Sequence, residues 1–238
     1  MTIRKFIVAA AAAAAFTTAF AAPETEEDIA NQGVGAIGWT PIQIGLFAPV
    51  SYPWGFDWDV KGFELDLFYA ETVRLQGLGI SGIATRTRDD FKGFSVTGLC
   101  HWHDKDVYGV DLTLGANLVF GDVYGFEAGC FGMRKHMSGI DINFVGSHQD
   151  SYRGLQAAGI CNFTLKDFTG VDLALGLNMT REMTGASIGG INFANKLTGC
   201  QIGFFNVAEE CPCGIQIGLV NIIMDNKIKV LPITNFYF

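Results

Sequence analysis

The chain has 238 residues, a formal net charge of −8, 30 Gly, 20 Phe, six Pro and only 17% charged residues. The acidic balance argues against nucleic acid or an anionic lipid surface as the main partner. Few charges and Pro with many Gly and Phe argue against disorder and favour a β-rich fold.

The N-terminal segment predicts export. Arg4 and Lys5 precede an apolar stretch that ends near Phe20, and small residues lead up to Pro23, an order typical of a signal peptide. We therefore expect a signal peptide over residues 1–22, a linker over 23–38 and a single β-repeat domain over 39–238. Further along the chain no run of about eighteen apolar residues occurs, so membrane-spanning helices are not expected.

The most informative feature is a glycine that recurs every 14 to 16 residues. A near-constant period indicates a tandem-repeat architecture. We expect each glycine to open a strand with a backbone conformation or close approach denied to other residues. The repeat glycines are Gly62, Gly77, Gly93, Gly109, Gly125, Gly139, Gly154, Gly170, Gly185, Gly199 and Gly214.

After each repeat glycine, apolar side chains alternate with small or polar ones. In the unit that starts at Gly109, Val110, Leu112 and Leu114 alternate with Asp111 and Thr113. A period of two indicates strands with two unlike faces. The short polar links between units indicate turns.

Additional strands are predicted at the two ends of the repeat region. Residues 39–50 form one before the first unit, residues 51–60 form an aromatic loop, and residues 229–238 form a last strand. Aromatic residues near strand ends are expected either at a membrane interface or in an ordinary core. They are Tyr108, Phe120, Tyr124, Tyr152 and Phe168.

Two folds fit this pattern. The favoured one is an all-β, up-and-down antiparallel β-barrel of about 12 strands, of the outer-membrane type, with the apolar face towards lipid and the polar face inside. Its most specific support is the terminal Phe238, expected to be an assembly signal. The alternative is a β-solenoid of about 15 residues per coil, with apolar side chains stacked inside and the polar face solvated.

The C-terminal units GCQIGFFN and GIQIGLVN resemble a group of bacterial surface-repeat proteins built from tandem GLQIGLVN-type units. The Gln and Asn positions match in Gln156 with Asn162, Gln201 with Asn206, and Gln216 with Asn221, while other units hold Asp, Glu or Ser in place of Gln. The resemblance implies an exported protein of the outer membrane or cell surface, without an assigned molecular role or catalytic residues.

Candidate chemistry is sparse. His101 and His103, two apart on one strand, are weak metal-ligand candidates beside the interpretation as a polar strand end. Six Cys point to structural thiols or disulfides. The inner carboxylates are expected to be structural, although paired ones could act in catalysis. They are Glu64, Asp66, Asp111, Glu127, Asp141 and Asp172.

The predicted function therefore rests on the expected location of the protein in the cell envelope, and not on a motif for a chemical reaction. No nucleotide-binding, hydrolase or metalloprotease motif occurs, so we predict a non-enzymatic structural or interaction protein with no cofactor. The expected partners are outer-membrane lipid and the outer-membrane assembly machinery. The alternatives are a secreted solenoid that binds an envelope component and, more weakly, a small outer-membrane hydrolase.

Overall fold

A computed structural model describes residues 35–55 and 57–237. The predicted signal peptide, most of the predicted linker and Phe238 lie outside these residues. No helix in the described part of the chain is long and apolar enough to cross a membrane.

Twelve strands make up the described fold. In chain order they are β1 (Gly38–Phe47), β2 (Val50–Tyr52), β3 (Trp58–Thr72), β4 (Arg74–Ser81), β5 (Ala84–Thr87), β6 (Phe91–Thr97), β7 (Cys100–His103), β8 (Val107–Thr113), β9 (Ala116–Val119), β10 (Asp122–Ala158), β11 (Cys161–Ile223) and β12 (Val230–Phe236).

The chain winds into a mostly parallel β-solenoid. β4 pairs in register with β6, β6 with β8, and β8 with β10, so that each coil lies directly on the preceding one. The shorter strands β5, β7 and β9 pair in the same way and form the second wall. One coil therefore has a longer first strand, which begins near the repeat glycine, a corner, and a shorter second strand. β10 and β11 each run through several coils.

The prediction of an antiparallel β-barrel is wrong. Successive units run parallel and pair with a shift of one whole coil, as Gly62 with Gly77 and Gly77 with Gly93. An up-and-down barrel requires neighbouring strands to run in opposite directions. The alternative solenoid prediction is correct in topology, with coils of 14 to 16 residues.

The repeat glycines set the contact between coils. Gly125 has a φ of 145°, and a Cβ on it would lie 2.0 Å from the carbonyl oxygen of Gly109. The same relation joins each later repeat glycine to the one before it, although Gly214 does not share the positive φ. The structure therefore brings backbone atoms of successive coils into close approach at these glycines.

The solenoid interior is mainly polar, opposite to the predicted solenoid. Inward positions two residues after the glycine hold Glu64, Ser95, Asp111, Gln156 and their equivalents, all buried. An apolar inner column lies two residues before the glycine. It contains Val60, Leu75, Phe91, Val107, Val123, Met137, Tyr152, Phe168, Met183 and Leu197.

Both ends of the stack differ from its middle. β1 pairs parallel with β3 as a preceding coil and folds back on β2, while β12 pairs antiparallel with the last part of β11. The predicted strands over 39–50 and 229–238 are present, but residues 51–60 are only partly a loop, because β2 and β3 include both of its ends. These additions cover the open edges that a stack of parallel coils would expose.

Replacing Gly125 by Ala should lower the free energy of unfolding by at least about 2 kcal/mol, because the methyl group meets the Gly109 carbonyl and the positive φ is unfavourable for Ala. Urea unfolding followed by circular dichroism measures the change. Gly35→Ala is the matched control, since nothing lies within 4 Å of a Cβ there. Equal stability of the two variants would contradict the stacking role.

Candidate functional site

The outer face of the first strands is apolar along the whole stack. The three outward positions after every repeat glycine hold only Phe, Leu, Ile, Val, Ala, Cys or Gly. We call these residues the apolar face. Its most exposed members are Leu114, Phe144 and Leu175, at 83%, 78% and 84% exposure, with Phe204 and Leu219 next.

The apolar face is large for a soluble protein. Ten coil spacings of about 4.8 Å give it a length of about 48 Å, and five residues along each strand give it a width of about 15 Å. The product, about 700 Å², exceeds the largest apolar patch of a typical monomer, about 300–600 Å². A patch of this size marks an interaction surface.

The apolar surface continues around the corner of the solenoid. Leu99, Ile160, Ile191 and Phe205 are exposed at the corner. The outward side chains of the second wall are mostly apolar as well and half-buried. They include Trp102, Leu118, Phe163, Met179, Phe193, Val207 and Ile222.

Charged side chains that point outward gather on the opposite edge, which we call the charged edge. There the turns join successive coils, and ion pairs link one coil to the next, as Lys105 to Asp89 at 2.8 Å and Lys166 to Asp150 at 2.9 Å. Tyr108 and Tyr124 stack on this edge at 5.1 Å. Tyr152 and Phe168, in contrast, stack inside the apolar inner column.

An open groove of about 730 Å³ lies in the C-terminal half of the apolar face. Leu175, Phe204 and Leu219 form its sides, and Gly189 and Gly203 form part of its floor. A Cβ on Gly203 would lie 2.6 Å from the amide nitrogen of Asn192. The inner polar column therefore requires glycine at this position.

A ladder of buried asparagines runs behind this groove. Asn178 donates to Asn192 at 2.9 Å, Asn192 to Asn206 at 2.8 Å, and Asn206 to Asn221 at 2.8 Å. Each amide also donates to a backbone carbonyl on the opposite wall, as Asn192 does to Ile202 at 2.9 Å. The ladder joins neighbouring coils and the two walls at once. Asn206 and Asn221 are among the positions that the resemblance singled out, and all four members are structural.

His101, His103 and Asp111 meet inside the solenoid, all fully buried. His101 Nδ1 lies 2.8 Å from Asp111 Oδ1, and His103 Nε2 lies 3.0 Å from Asp111 Oδ2. Burial and the neighbouring His101 lower the pKa of His103 to about 4, so that ring is neutral at pH 7. Burial alone would raise the pKa of Asp111, but the two imidazoles lower it.

A second inner cluster contains a buried cation. Arg134 Nε lies 2.9 Å from Glu127, and its Nη1 lies 2.8 Å from Asp141. Burial alone would lower the pKa of Arg134, but Asp141 and Glu127 raise it above its usual value, so the guanidinium stays charged. The sequence reading missed Arg134, because the pattern of the unit between Gly125 and Gly139 is irregular at that point.

Other inner carboxylates face no buried cation within the described part of the chain. Burial and the adjacent Asp66 raise the pKa of Glu64 to about 8, and burial raises that of Asp66 to about 6. Burial also raises the pKa of Asp172 to about 7 despite a hydrogen bond from Asn162. Glu64 and Asp66 adjoin each other, but the other inner acids are spread over separate coils.

The six cysteines are free thiols, of which Cys211 is buried and Cys213 exposed. His136 and His148 lie away from the His101 cluster on the charged edge and the second wall. The structure thus brings the weak metal candidates His101 and His103 together with Asp111.

The chain matches no protein-family model, no curated protein and no solved structure.

Replacing Asn192 by Ala should lower the free energy of unfolding by about 3 kcal/mol, because the Ser187 hydroxyl, the Asn206 amide oxygen and the Ile202 carbonyl lose buried partners. Denaturant unfolding measures this loss. Asn195→Ala is the control, since Asn195 donates a hydrogen bond to Glu209 on the charged edge. Its loss should lower the free energy of unfolding by about 1 kcal/mol at most. A smaller effect at Asn192 than at Asn195 would refute the ladder's role.

Replacing Glu64 by Gln should stabilise the fold at pH 8.5 but not at pH 4. Between pH 4.5 and about 8 the unfolded carboxyl loses its proton while the folded one keeps it, so stability falls as pH rises. Gln avoids this loss, which is on the order of a few kcal/mol. Unfolding curves at both pH values measure the stability change caused by Glu64→Gln. Glu182→Gln, at an exposed position, is the control. A pH-independent difference would contradict the buried, protonated state.

Proposed function

We propose that this protein is an exported β-solenoid that binds envelope lipid through its apolar face. The single observation that carries the proposal is the separation of side chains on the outside. In the described residues, the three outward positions after every repeat glycine hold no Asp, Glu, Lys or Arg, while turns bearing charged residues follow the opposite edge. The predicted signal peptide and the resemblance to surface-repeat proteins support export.

The charged edge decides how the molecule would lie on lipid. It follows the whole length of the solenoid, parallel to its axis. A crossing of the bilayer along that axis would place charged turns in the hydrocarbon core, about 30 Å thick, at a high cost. The axis therefore lies in the plane of the membrane, with the apolar face in the acyl region and the charged edge in water, as in an interfacial amphipathic helix.

The backbone is suited to such contact. Coil-to-coil hydrogen bonds occupy the backbone groups of the first strands, so lipid meets only side chains. Removing about 700 Å² of apolar surface from water contributes on the order of 17 kcal/mol at about 25 cal/mol per Å². The open groove beside Phe204 offers room for an acyl chain within the same face.

A lipid phase fits this surface better than a second copy of the chain. The apolar surface turns the corner at Leu99, Ile160 and Phe205 and continues on the second wall. One rigid partner covers one plane, whereas lipid covers both. Polysaccharide is also less suited, because the outward first-strand positions offer no hydrogen-bonding side chains.

Flotation with neutral phosphatidylcholine vesicles tests the proposal. The full chain should float with the vesicles, and the triple variant Leu114→Glu, Phe144→Glu, Leu175→Glu should partition at least about tenfold less. The matched control, Ser138→Glu, Thr169→Glu, Thr184→Glu, adds the same charge at exposed positions next to the repeat glycines on the charged edge. Circular dichroism confirms that both variants fold.

Two results would overturn lipid binding. One is unaltered protein that stays at the bottom of the gradient, either as a monomer or as a dimer that covers its apolar face without lipid. The other is equal flotation of the two triple variants, which would mean that the apolar face is not the lipid-binding surface.

A further inference from the structure

We propose that His101, His103 and Asp111 bind one divalent transition-metal ion of the zinc class inside the solenoid. The proposal is independent of lipid binding, because the three side chains point inward and are fully buried, away from the apolar face.

The fold brings these residues together from two coils. His101 and His103 are both on β7, two residues apart, so both side chains point into the interior. Asp111 is on β8, in the next coil of the opposite wall, where it pairs in register with Ser95. The three possible ligand atoms lie within 4.8 Å of one another.

The distances are close to those of a metal site. The nitrogen-to-oxygen distances from His101 and His103 to Asp111 are 2.8 and 3.0 Å. Tetrahedral zinc, with bonds of about 2.0–2.2 Å, keeps its ligand atoms about 3.3 Å apart. Each imidazole nitrogen therefore lies within about 0.5 Å of the spacing that zinc would need between it and the carboxylate oxygen it contacts. Ser95 Oγ, 2.5 Å from Asp111 Oδ1 and 3.4 Å from His101 Nδ1, is a fourth donor.

Binding of the ion would move a proton within each imidazole without releasing it. An ionised carboxylate only accepts hydrogen bonds, so without an ion the imidazole nitrogen that faces Asp111 has to carry the proton. When the ion binds that nitrogen, the proton moves to the other ring nitrogen. These other nitrogens, His101 Nε2 and His103 Nδ1, are buried and have no hydrogen-bond partner in the described structure. Asn117 pairs in register with His101 and lies one coil further along the stack. Its amide oxygen also has no hydrogen-bond partner in the described structure.

Charge inside the solenoid favours a cation at this position. Asp111, Glu127 and Asp141 occupy equivalent inward positions on three successive coils. Among them lies one buried guanidinium, that of Arg134, which pairs with Glu127 and Asp141 but not with Asp111. A divalent ion at Asp111 would offset the remaining negative charge where the low dielectric makes such charge costly. Two imidazoles and one carboxylate suit zinc better than calcium or magnesium.

Metal retention after refolding tests the site, because a fully buried ion has to enter as the coils form. The full chain, without a histidine tag, is refolded with zinc, dialysed against a weak chelator and analysed for metal. We expect about one zinc per chain, and at least about tenfold less in His101→Gln and His103→Gln, which keep an N–H donor but weaken coordination. His148→Gln, on the second wall, should retain zinc like the unaltered chain.

Thermal unfolding gives a second measurement. Zinc should raise the midpoint of the unaltered chain and of His148→Gln relative to chelator, but not that of His101→Gln or His103→Gln. If these two variants fail to fold, the unaltered chain is refolded with cobalt in place of zinc. Cobalt bound in a tetrahedral site gives strong visible absorption, which would show that the site is occupied. Retention below about 0.1 zinc per chain, equal retention in His103→Gln, or a colourless cobalt form would overturn the metal site and leave only a hydrogen-bonded triad.

Discussion

In-register stacking of coils is the constraint on which the rest of this structure depends. The carbonyl oxygen of one repeat glycine lies so near the next that a Cβ there would be only 2.0 Å away, as between Gly109 and Gly125. Such contact requires the absence of a side chain, and at every repeat glycine except Gly214 it is accompanied by a positive φ. Since every coil repeats the contact, equivalent residues of successive units lie directly above one another. Each side chain therefore has to fit against the equivalent side chains of the coils before and after it.

Stacking also explains why the interior can be polar. A side-chain amide has both a donor and an acceptor, so a column of amides satisfies itself from coil to coil, as Asn178, Asn192 and Asn206 do. A column of carboxylates cannot, because it has only acceptors when ionised. The buried acids accordingly find imidazoles or Arg134, or have raised pKa values like Glu64. The polar inner columns leave the apolar residues to point outward, which generates the apolar face.

The alternating pattern correctly predicts strands with two unlike faces, and the repeat glycines mark the period of the coils. The choice of a barrel was wrong because alternation is the same in both folds and says nothing about strand direction. The predicted solenoid had its faces reversed, since it assumed that apolar residues must be inside. The resemblance had singled out Gln201, Asn206, Gln216 and Asn221, and these prove to be inward-facing members of hydrogen-bonded columns.

The sequence by itself determined the β-strands, the repeat glycines and the period of 14 to 16 residues, because these depend on local alternation and on the conformational freedom of glycine. Only the tertiary structure decided that the coils run parallel, that the polar columns lie inside, and that His101 and His103 meet Asp111. The physical reason is that these features depend on which atoms of different coils come into contact. A pattern along one strand carries no information about the strand that will lie beside it.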